Sequence, residues 1–479
     1  MSLFTKRVLS FFQEITRIPR ESGHEEQIIA YLQQYAAARR LECKTDKAGN
    51  VLIVKEATPG YEDRPTVVLQ SHSDMVCEKN EGVVHDFAKD PIRYEIRDGW
   101  MIAPDTTLGA DDGIGIAAQL ALMDDDSIPH GRIESLFTVS EETGLDGAMA
   151  LKKGFFTGKI LLNLDDEDEG ELCVGCAGGV DTTALFHYKT KALPASHVIT
   201  RFGVKGGIGG HSGDDIDKGR ANALQLLARF LQEALHYKID LCEIAGGNKR
   251  NAIAREASAV VAIPARSENE VIALFNRFVK EIESEYHTTD PDVTGFAEPL
   301  PARKEAIDTA TSRRLILALA AAPHGVLAMS GDIKGLVETS SNLASIKMLP
   351  GGRIRVGSSQ RSAINSARKA AGAKFAAVFE LAGAQVTHES EYPGWKPNMD
   401  SHIKDVCVAA YRRLFRKDPV VRAIHAGLEC GLFLEQYPDL DMISFGPTLR
   451  GVHAPGERLD LASLDKFWAF LLEVLKSVK

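Results

Sequence analysis

Pro65-Thr66-Val67-Val68-Leu69-Gln70-Ser71-His72-Ser73-Asp74 decides how this chain is read: an apolar, strand-like run stops on an imidazole, with a carboxylate two residues on. The arrangement recurs. Ile133-Glu134-Ser135-Leu136-Phe137-Thr138-Val139-Ser140 stops on Glu141-Glu142, and Lys159-Ile160-Leu161-Leu162-Asn163-Leu164 stops on Asp165. Met442-Ile443-Ser444-Phe445-Gly446 leads through a short loop to His453. A further carboxylate, Asp111, lies in the turn Leu108-Gly109-Ala110-Asp111-Asp112-Gly113, which opens a predicted helix. Strands alternating with helices predict the α/β class with a mostly parallel sheet. Open sheets of that kind bind ligands beyond the carboxyl ends of their strands. Two imidazoles and three carboxylates gathered there describe a site for two divalent metal ions, most simply zinc, sharing one carboxylate; manganese or cobalt also suits such donors.

Each piece alone has a plainer reading. An H-x-D is a common accident, an E-E pair is usually a solvated face, and Asp165-Asp166-Glu167-Asp168-Glu169 reads as surface charge. Their conjunction at the ends of apolar strands is what a metal pair explains, because clustered carboxylates otherwise suffer desolvation and mutual repulsion. Asp74 can accept the second N–H of His72 and fix its tautomer. Asp111, in a turn flanked by Gly109 and Gly113, is the candidate bridge. Glu141 and Glu142 are adjacent, so their side chains diverge: one can ligate while the other serves as general base. No H-E-x-x-H occurs, which excludes a helix-borne zinc protease.

With 479 residues the chain exceeds a single core, so more than one domain is expected. Helical patterns cover 25–41 and 113–123, and the first domain runs over 1–182. A glycine-rich stretch (Gly206-Gly207-Ile208-Gly209-Gly210-His211-Ser212-Gly213) and an alternating strand near 258–263 mark an inserted α/β domain over 183–388. Pro393-Gly394-Trp395-Lys396-Pro397 reads as the return linker, and 389–479 completes the first domain, since His453 follows the insertion. No fixed-period repeat is apparent. The net charge of −10 argues against a nucleic-acid partner. No apolar run approaches bilayer length, and Phe11-Phe12-Gln13-Glu14-Ile15-Thr16-Arg17-Ile18 reads as an amphipathic helix stopped near Pro19 rather than a signal peptide. Seven scattered cysteines, including the lone C-x-x-C of Cys173 and Cys176, suit a reducing cytoplasm and ordinary packing.

Longer motifs surround these residues: Gln70-Ser71-His72-Ser73-Asp74-Met75-Val76, Thr107-Leu108-Gly109-Ala110-Asp111-Asp112-Gly113-Ile114-Gly115, Glu141-Glu142-Thr143-Gly144-Leu145-Asp146-Gly147, Gly175-Cys176-Ala177-Gly178-Gly179, Gly247-Asn248-Lys249-Arg250-Asn251-Ala252-Ile253 and His425-Ala426-Gly427-Leu428-Glu429-Cys430-Gly431. Over essentially its whole length the chain resembles the dinuclear-zinc exopeptidase and amidohydrolase family, and within it the bacterial aminoacyl-histidine dipeptidase branch. The resemblance implies a catalytic domain with an inserted lid and dimerisation domain, and a homodimer. It implies that His72, Asp111 and Asp165 hold one metal and that Asp111, Glu142 and His453 hold the other. It makes Glu141 the base and Asp74 the partner that orients His72, and it implies a cis peptide after Asp111. His211 matches an oxyanion-binding histidine; its glycine-rich setting is not the G-x-G-x-x-G of a nucleotide loop. Asn251 and Arg361 match lid positions that meet the substrate backbone or carboxylate, with a lid salt bridge the plainer reading for Arg361. His425 and Glu429 lie on a turn expected to face the site. Glu429 is either a receptor for a substrate α-amino group or a helix-surface acid. Ser71, Ser73 and Asp112 depart from the family pattern, and Asp112 is expected to add negative charge near the metals. The activity implied is metal-dependent hydrolysis of unblocked dipeptides, Xaa-His among them. The competing readings are an N-acyl amino-acid deacylase on the same site, a dinuclear phosphoesterase, and a non-catalytic member of the family.

Overall fold

Val67–His72 is buried along its whole length, which six residues rich in β-branched and aliphatic side chains can sustain only inside a sheet covered on both faces. It lies near the middle of an eight-stranded sheet in the computed structural model, which describes residues 3–479. Spatially, the strands follow the order Glu42–Thr45, Val51–Lys55, Ile133–Thr138, Val67–His72, Ile160–Asn163, Asp441–Ser444, Glu171–Cys176 and Val420–Ile424. The four central ones, Ile133–Thr138 through Asp441–Ser444, are mutually parallel. Val51–Lys55 joins antiparallel on one side and Glu171–Cys176 on the other. All four parallel strands therefore end at the same edge, and the residues that follow them leave from that edge together.

Helix Ala110–Met123 has every residue but Asp111 buried; its alanines and glycines let it sit close against its neighbours. Its first turn is irregular: Asp111 and Asp112 are not helical, and the peptide between them is cis, as the resemblance implies. The helix starting at His402 is capped by Ser401 and that starting at Leu461 by Asp460, each accepting an orphan N–H of the first turn.

The chain forms two compact units. The first comprises Met1–Gly175, Trp395–Ala423 and Leu428–Lys479; the second comprises Cys176–Gly394 and Ile424–Gly427. The divisions fall a few residues outside the sequence-based boundaries, because Gly178–His187 pairs with both Gln385–Tyr392 and Arg353–Ser362 inside the second sheet.

That second sheet contains a repeat invisible at the level of residue identity. One half is strand His197–Lys205, helix Ala223–Ala234, strands Asp240–Gly247 and Ala257–Pro264, helix Glu268–Tyr286 and strand Thr294–Leu300. The other is strand Gly178–His187, helix Thr309–Ala321, strands Val337–Leu349 and Arg353–Ser362, helix Asn365–Leu381 and strand Gln385–Tyr392. Each is a β-α-β-β-α-β unit with spatial strand order 4-1-3-2 counted from its own outer edge, and the two second strands meet where Gly246 pairs with Ile346. The core beneath this sheet is aromatic at its centre, with Phe202 packed 4.8 Å from both Phe230 and Phe275. No helix among the described residues is long and apolar enough to cross a membrane.

Candidate active site

The edge where the parallel strands end carries His72 on its strand, Glu141 and Glu142 just past Thr138, and Asp165 just past Asn163. Asp111 arrives from the irregular start of its helix and His453 from the loop beyond Asp441–Ser444. All six belong to the first unit. The two oxygens of Asp111 divide between the two imidazoles. Oδ1 lies 2.9 Å from His72 Nε2, and Oδ2 lies 3.0 Å from His453 Nε2. Each imidazole also faces a second carboxylate: Asp165 Oδ1 is 3.5 Å from His72 Nε2, and Glu142 Oε1 is 3.0 Å from His453 Nε2. Thus His72, Asp111 and Asp165 form one group of potential ligands and Asp111, Glu142 and His453 another, joined through Asp111.

The chemistry of these donors fits cations. Asp74 Oδ1 lies 3.2 Å from His72 Nδ1. Ionised Asp74 can only accept, so the proton of Nδ1 points at it. The lone pair of Nε2 is then aimed at two further carboxylates. Only a second proton or a cation reconciles three electron-rich groups at these distances. The metal-free electrostatics say the same. Asp111 and then Glu142 push His453 up to about 11, against its partial burial. His72 is raised well above its ordinary value: burial opposes its charge, but Asp165, Asp111 and Asp74 outweigh it. Burial, with Asp111 adjacent and only partly offset by His72, lifts Asp165 to about 7.

Asp74 is a hub. Its Oδ1 also accepts the N–H of Glu141 at 3.0 Å, and its Oδ2 accepts the N–H of Glu142 at 3.2 Å and the hydroxyl of Ser22 at 2.7 Å. Burial would raise its pKa, but His72 and these donors bring it down to about 2, so it stays charged. The turn that follows begins with Ser140 in the left-handed region (φ 51), whose N–H and hydroxyl are both held by Glu25 Oε1, at 2.8 and 2.9 Å. Glu141 and Glu142 each keep a carboxylate oxygen within 4.8 Å of the other's and of a ring nitrogen of His72, so these three form a further group of potential ligands. The Glu141 carboxyl is driven well above its usual range by burial, then by Asp165, Glu429 and Glu142, with His72 opposing.

Two departures from the family pattern acquire reasons. Ser71 Oγ accepts from Gln119 Nε2 at 2.6 Å, and Ser73 Oγ donates to Thr138 O at 2.7 Å, so both serines tie the ligand strand to its neighbours. Asp112, the third departure, is buried; its Oδ1 accepts the N–H of Gly115 at 3.0 Å, its Oδ2 has no hydrogen-bond partner, and burial, then Asp165 and Asp111, raise its pKa well above normal, with His72 opposing.

Of the other candidates, Glu429 lies in the first unit and is not a helix-surface acid. It has no exposed surface, and its Oε2 accepts from Gln70 Nε2 at 2.6 Å and Thr138 Oγ1 at 2.8 Å. Its Oε1 is without a partner. His211, Asn251, Arg361 and His425 gather inside the second unit. Arg361 Nη2 is 3.5 Å from His211 Nε2, and Ser212 N donates to Asn251 O at 2.8 Å. His425 Nε2 is 2.7 Å from the hydroxyl of Ser340, the cross-strand partner of Arg361. Arg361 is buried, and its hydrogen-bond partners are a hydroxyl, a phenol and an imidazole; no carboxylate pairs with it among the described residues. It is therefore not a lid salt bridge. None of the seven cysteines forms a disulfide among the described residues.

Residues 68–477 match the family profile described as Peptidase family M20/M25/M40. The chain belongs to that family. It is 40% identical over 468 residues to the cytosol non-specific dipeptidase of Escherichia coli (strain K12), covering 98% of this chain and 96% of the relative. The crystal structure of aminoacylhistidine dipeptidase from Vibrio alginolyticus superposes with a TM-score of 0.92 at 41% identity, over 99% of this chain and 96% of that one. Aminopeptidase PepT from Bacillus cereus ATCC 10987 shares the fold, with a TM-score of 0.62 at 18% identity over 99% and 98% of the two chains. The resemblance read from the motifs and the α/β class expected of it are both borne out.

Sequence reading missed the residues that hold the ligand loops from behind: Arg20, Ser22, Glu25 and Glu457. Arg20, Ser22 and Glu25 follow Pro19, which was read only as a helix stop, and nothing in their local pattern shows which loops they reach.

Proposed function

We propose that this protein is a metal-dependent dipeptidase acting on unblocked dipeptides, Xaa-His substrates such as β-alanyl-histidine among them. The observation that carries this reading is the division of Asp111 between two imidazoles, each shared with a further carboxylate. The near full-length similarity to a non-specific dipeptidase and an aminoacylhistidine dipeptidase supports the substrate class. His72, Asp111 and Asp165 would hold one ion and Asp111, Glu142 and His453 the other, with zinc as the simplest choice for mixed imidazole and carboxylate donors. When bound, two such ions polarise the scissile carbonyl and make an attacking water easier to deprotonate.

The chain's own groups do the rest. Glu141 takes the proton of the attacking water and returns it to the leaving amine; burial raises its carboxyl above the usual range, which makes the ionised group a stronger proton acceptor. Asp74 fixes the tautomer of His72 and, through the N–H groups of Glu141 and Glu142, sets where base and ligand begin. His211 serves as donor to the oxygen that gains charge, and Asn251 and Arg361 receive the substrate backbone and carboxylate. In support, Arg361 is a buried cation with a fork of donors and no carboxylate of its own. We place His425 with this group and assign Glu429, with its unpartnered oxygen, to the free amino end of the substrate. A cytoplasmic homodimer completes the reading.

The test is a hydrolysis panel of free dipeptides, tripeptides and N-acetyl amino acids with zinc, manganese or cobalt added. Free dipeptides should be cleaved, chelation should abolish turnover, and metal should restore it. Preferential cleavage of N-acetyl amino acids would replace this reading with a deacylase.

A further inference from the structure

Two buried charges take no part in the chemistry above. Arg20 and Glu457 are each 2% exposed; the side chain of Arg20 bonds to the backbone beside His72 and Asp111, and that of Glu457, in the loop that carries His453, bonds to the Asp111 turn. Arg20 Nη1 donates to Ser73 O at 3.2 Å and Asp74 O at 2.5 Å, and its Nη2 donates to Gly109 O. Its own carbonyl accepts the N–H of Met75 at 3.0 Å. From the other side, Glu457 receives the amides of the Asp111 turn: Leu108 N at 2.7 Å and Gly109 N at 3.0 Å on Oε2, with Ala110 N at 2.7 Å and Asp111 N at 3.5 Å on Oε1. Glu457 follows His453 by four residues, and its carbonyl accepts Ala103 N at 3.1 Å.

Two glycines clear the slot for the guanidinium. A Cβ at Gly109 would stand 2.5 Å from Arg20 Nη2, and one at Gly113 would stand 2.6 Å from it. Gly109 also needs its positive φ of +69. Burying two charges costs several kcal/mol, which apolar packing would avoid. Bonds confined to three ligand-bearing loops give them a different purpose.

We infer that Arg20 and Glu457 are positioning residues: they lock the loops of His72, Asp111 and His453 at the spacing that lets one carboxylate serve two metal ions. This rests on reading those three residues, with Glu142 and Asp165, as ligands. Gln at position 457 matches the volume but turns two of four acceptor contacts into donor-against-donor contacts. Lys at position 20 keeps the charge and loses the fork.

The test uses the full chain, stripped of metal, as wild type, E457Q and R20K, with D111N as the ligand control. Zinc is titrated against a chromophoric chelator, and the visible spectrum of the cobalt-loaded protein is recorded. Wild type should take two equivalents. In E457Q and R20K one equivalent should weaken about tenfold to a hundredfold, with an altered cobalt spectrum. kcat should fall while KM stays within about threefold, the split expected when transition-state geometry rather than substrate binding is lost. A merely structural role would lower the urea midpoint and leave both zinc affinities and the cobalt spectrum as in wild type; that result overturns the inference. Should R20K not fold, E457Q decides by the same criterion. If D111N binds two equivalents as tightly as wild type, the ligand reading itself fails and takes the inference with it.

Discussion

At Asp111 two oxygens 2.9 and 3.0 Å from different imidazoles determine the local chemistry, and the neighbouring acids can be sorted by whether they must be charged. Asp74 must be, since it accepts from His72, Ser22 and two backbone amides. Asp112 has no such set of donors: its Oδ1 accepts Gly115 N and its Oδ2 has no partner. Asp112→Asn should therefore keep metal content and hold kcat within about threefold, because an amide of the same shape keeps the one bond Asp112 makes, its Oδ1 accepting Gly115 N. A loss beyond tenfold in steady-state assays would mean that Asp112 works as an anion. Glu141→Gln keeps size and loses the proton acceptor. It should retain metal by elemental analysis and lower kcat by about 10²- to 10⁴-fold; near-normal turnover would remove Glu141 as base.

Among the elements, the placement of the site follows from four parallel strands ending at one edge. The alternation of apolar runs and helical patterns made those strands legible, and with them the residues that follow each run. Their closeness depends on contacts that no periodicity encodes. Gly446, just beyond Asp441–Ser444, is an example: a Cβ there would stand 1.8 Å from the carbonyl oxygen of Asp166 and 3.1 Å from its nitrogen. Gly446→Ala must push that exit loop away from the segment bearing Asp165. It should destabilise the metal-free protein by about 1–3 kcal/mol in urea unfolding and weaken zinc binding in parallel. An unchanged unfolding midpoint would show that the two segments yield freely. The paired β-α-β-β-α-β halves of the second unit escaped sequence reading for a related reason. One half is inserted between the first strand and first helix of the other, so no constant period survives.

Across the whole molecule, two histidines of the second unit make stability depend on pH. His324 Nδ1 accepts the N–H of Leu343 at 3.3 Å, and burial lowers its pKa to about 4. Burial, then Arg361, lowers that of His425 to about 4 as well. In the unfolded chain both titrate near 6.5. Above that value neither state binds the proton and the contribution to stability is complete. Between about 6.5 and 4 the unfolded state gains protons that the folded state refuses, so stability falls with pH, by about a few kcal/mol for the pair. Comparing urea midpoints of wild type and His324→Gln at about pH 7.5 and about pH 4.5 isolates this contribution, because the raised carboxyls and imidazoles of the site titrate with the opposite sign in both proteins and cancel. His324→Gln, which can still accept the amide, should lose less stability than wild type between the two pH values; an identical loss would locate the titration elsewhere.

By itself, the sequence determined the α/β class, the family, and which imidazoles and carboxylates follow apolar strands, because hydrophobic periodicity and short motifs are local properties of the chain. Only the tertiary structure decided that Asp111 stands between His72 and His453, that Asp112 and Glu429 are buried, and that Arg20 and Glu457 grip the same turn from opposite sides. Distance, desolvation and hydrogen-bond partnership arise between segments hundreds of residues apart, and they take values only once the chain has brought those segments together.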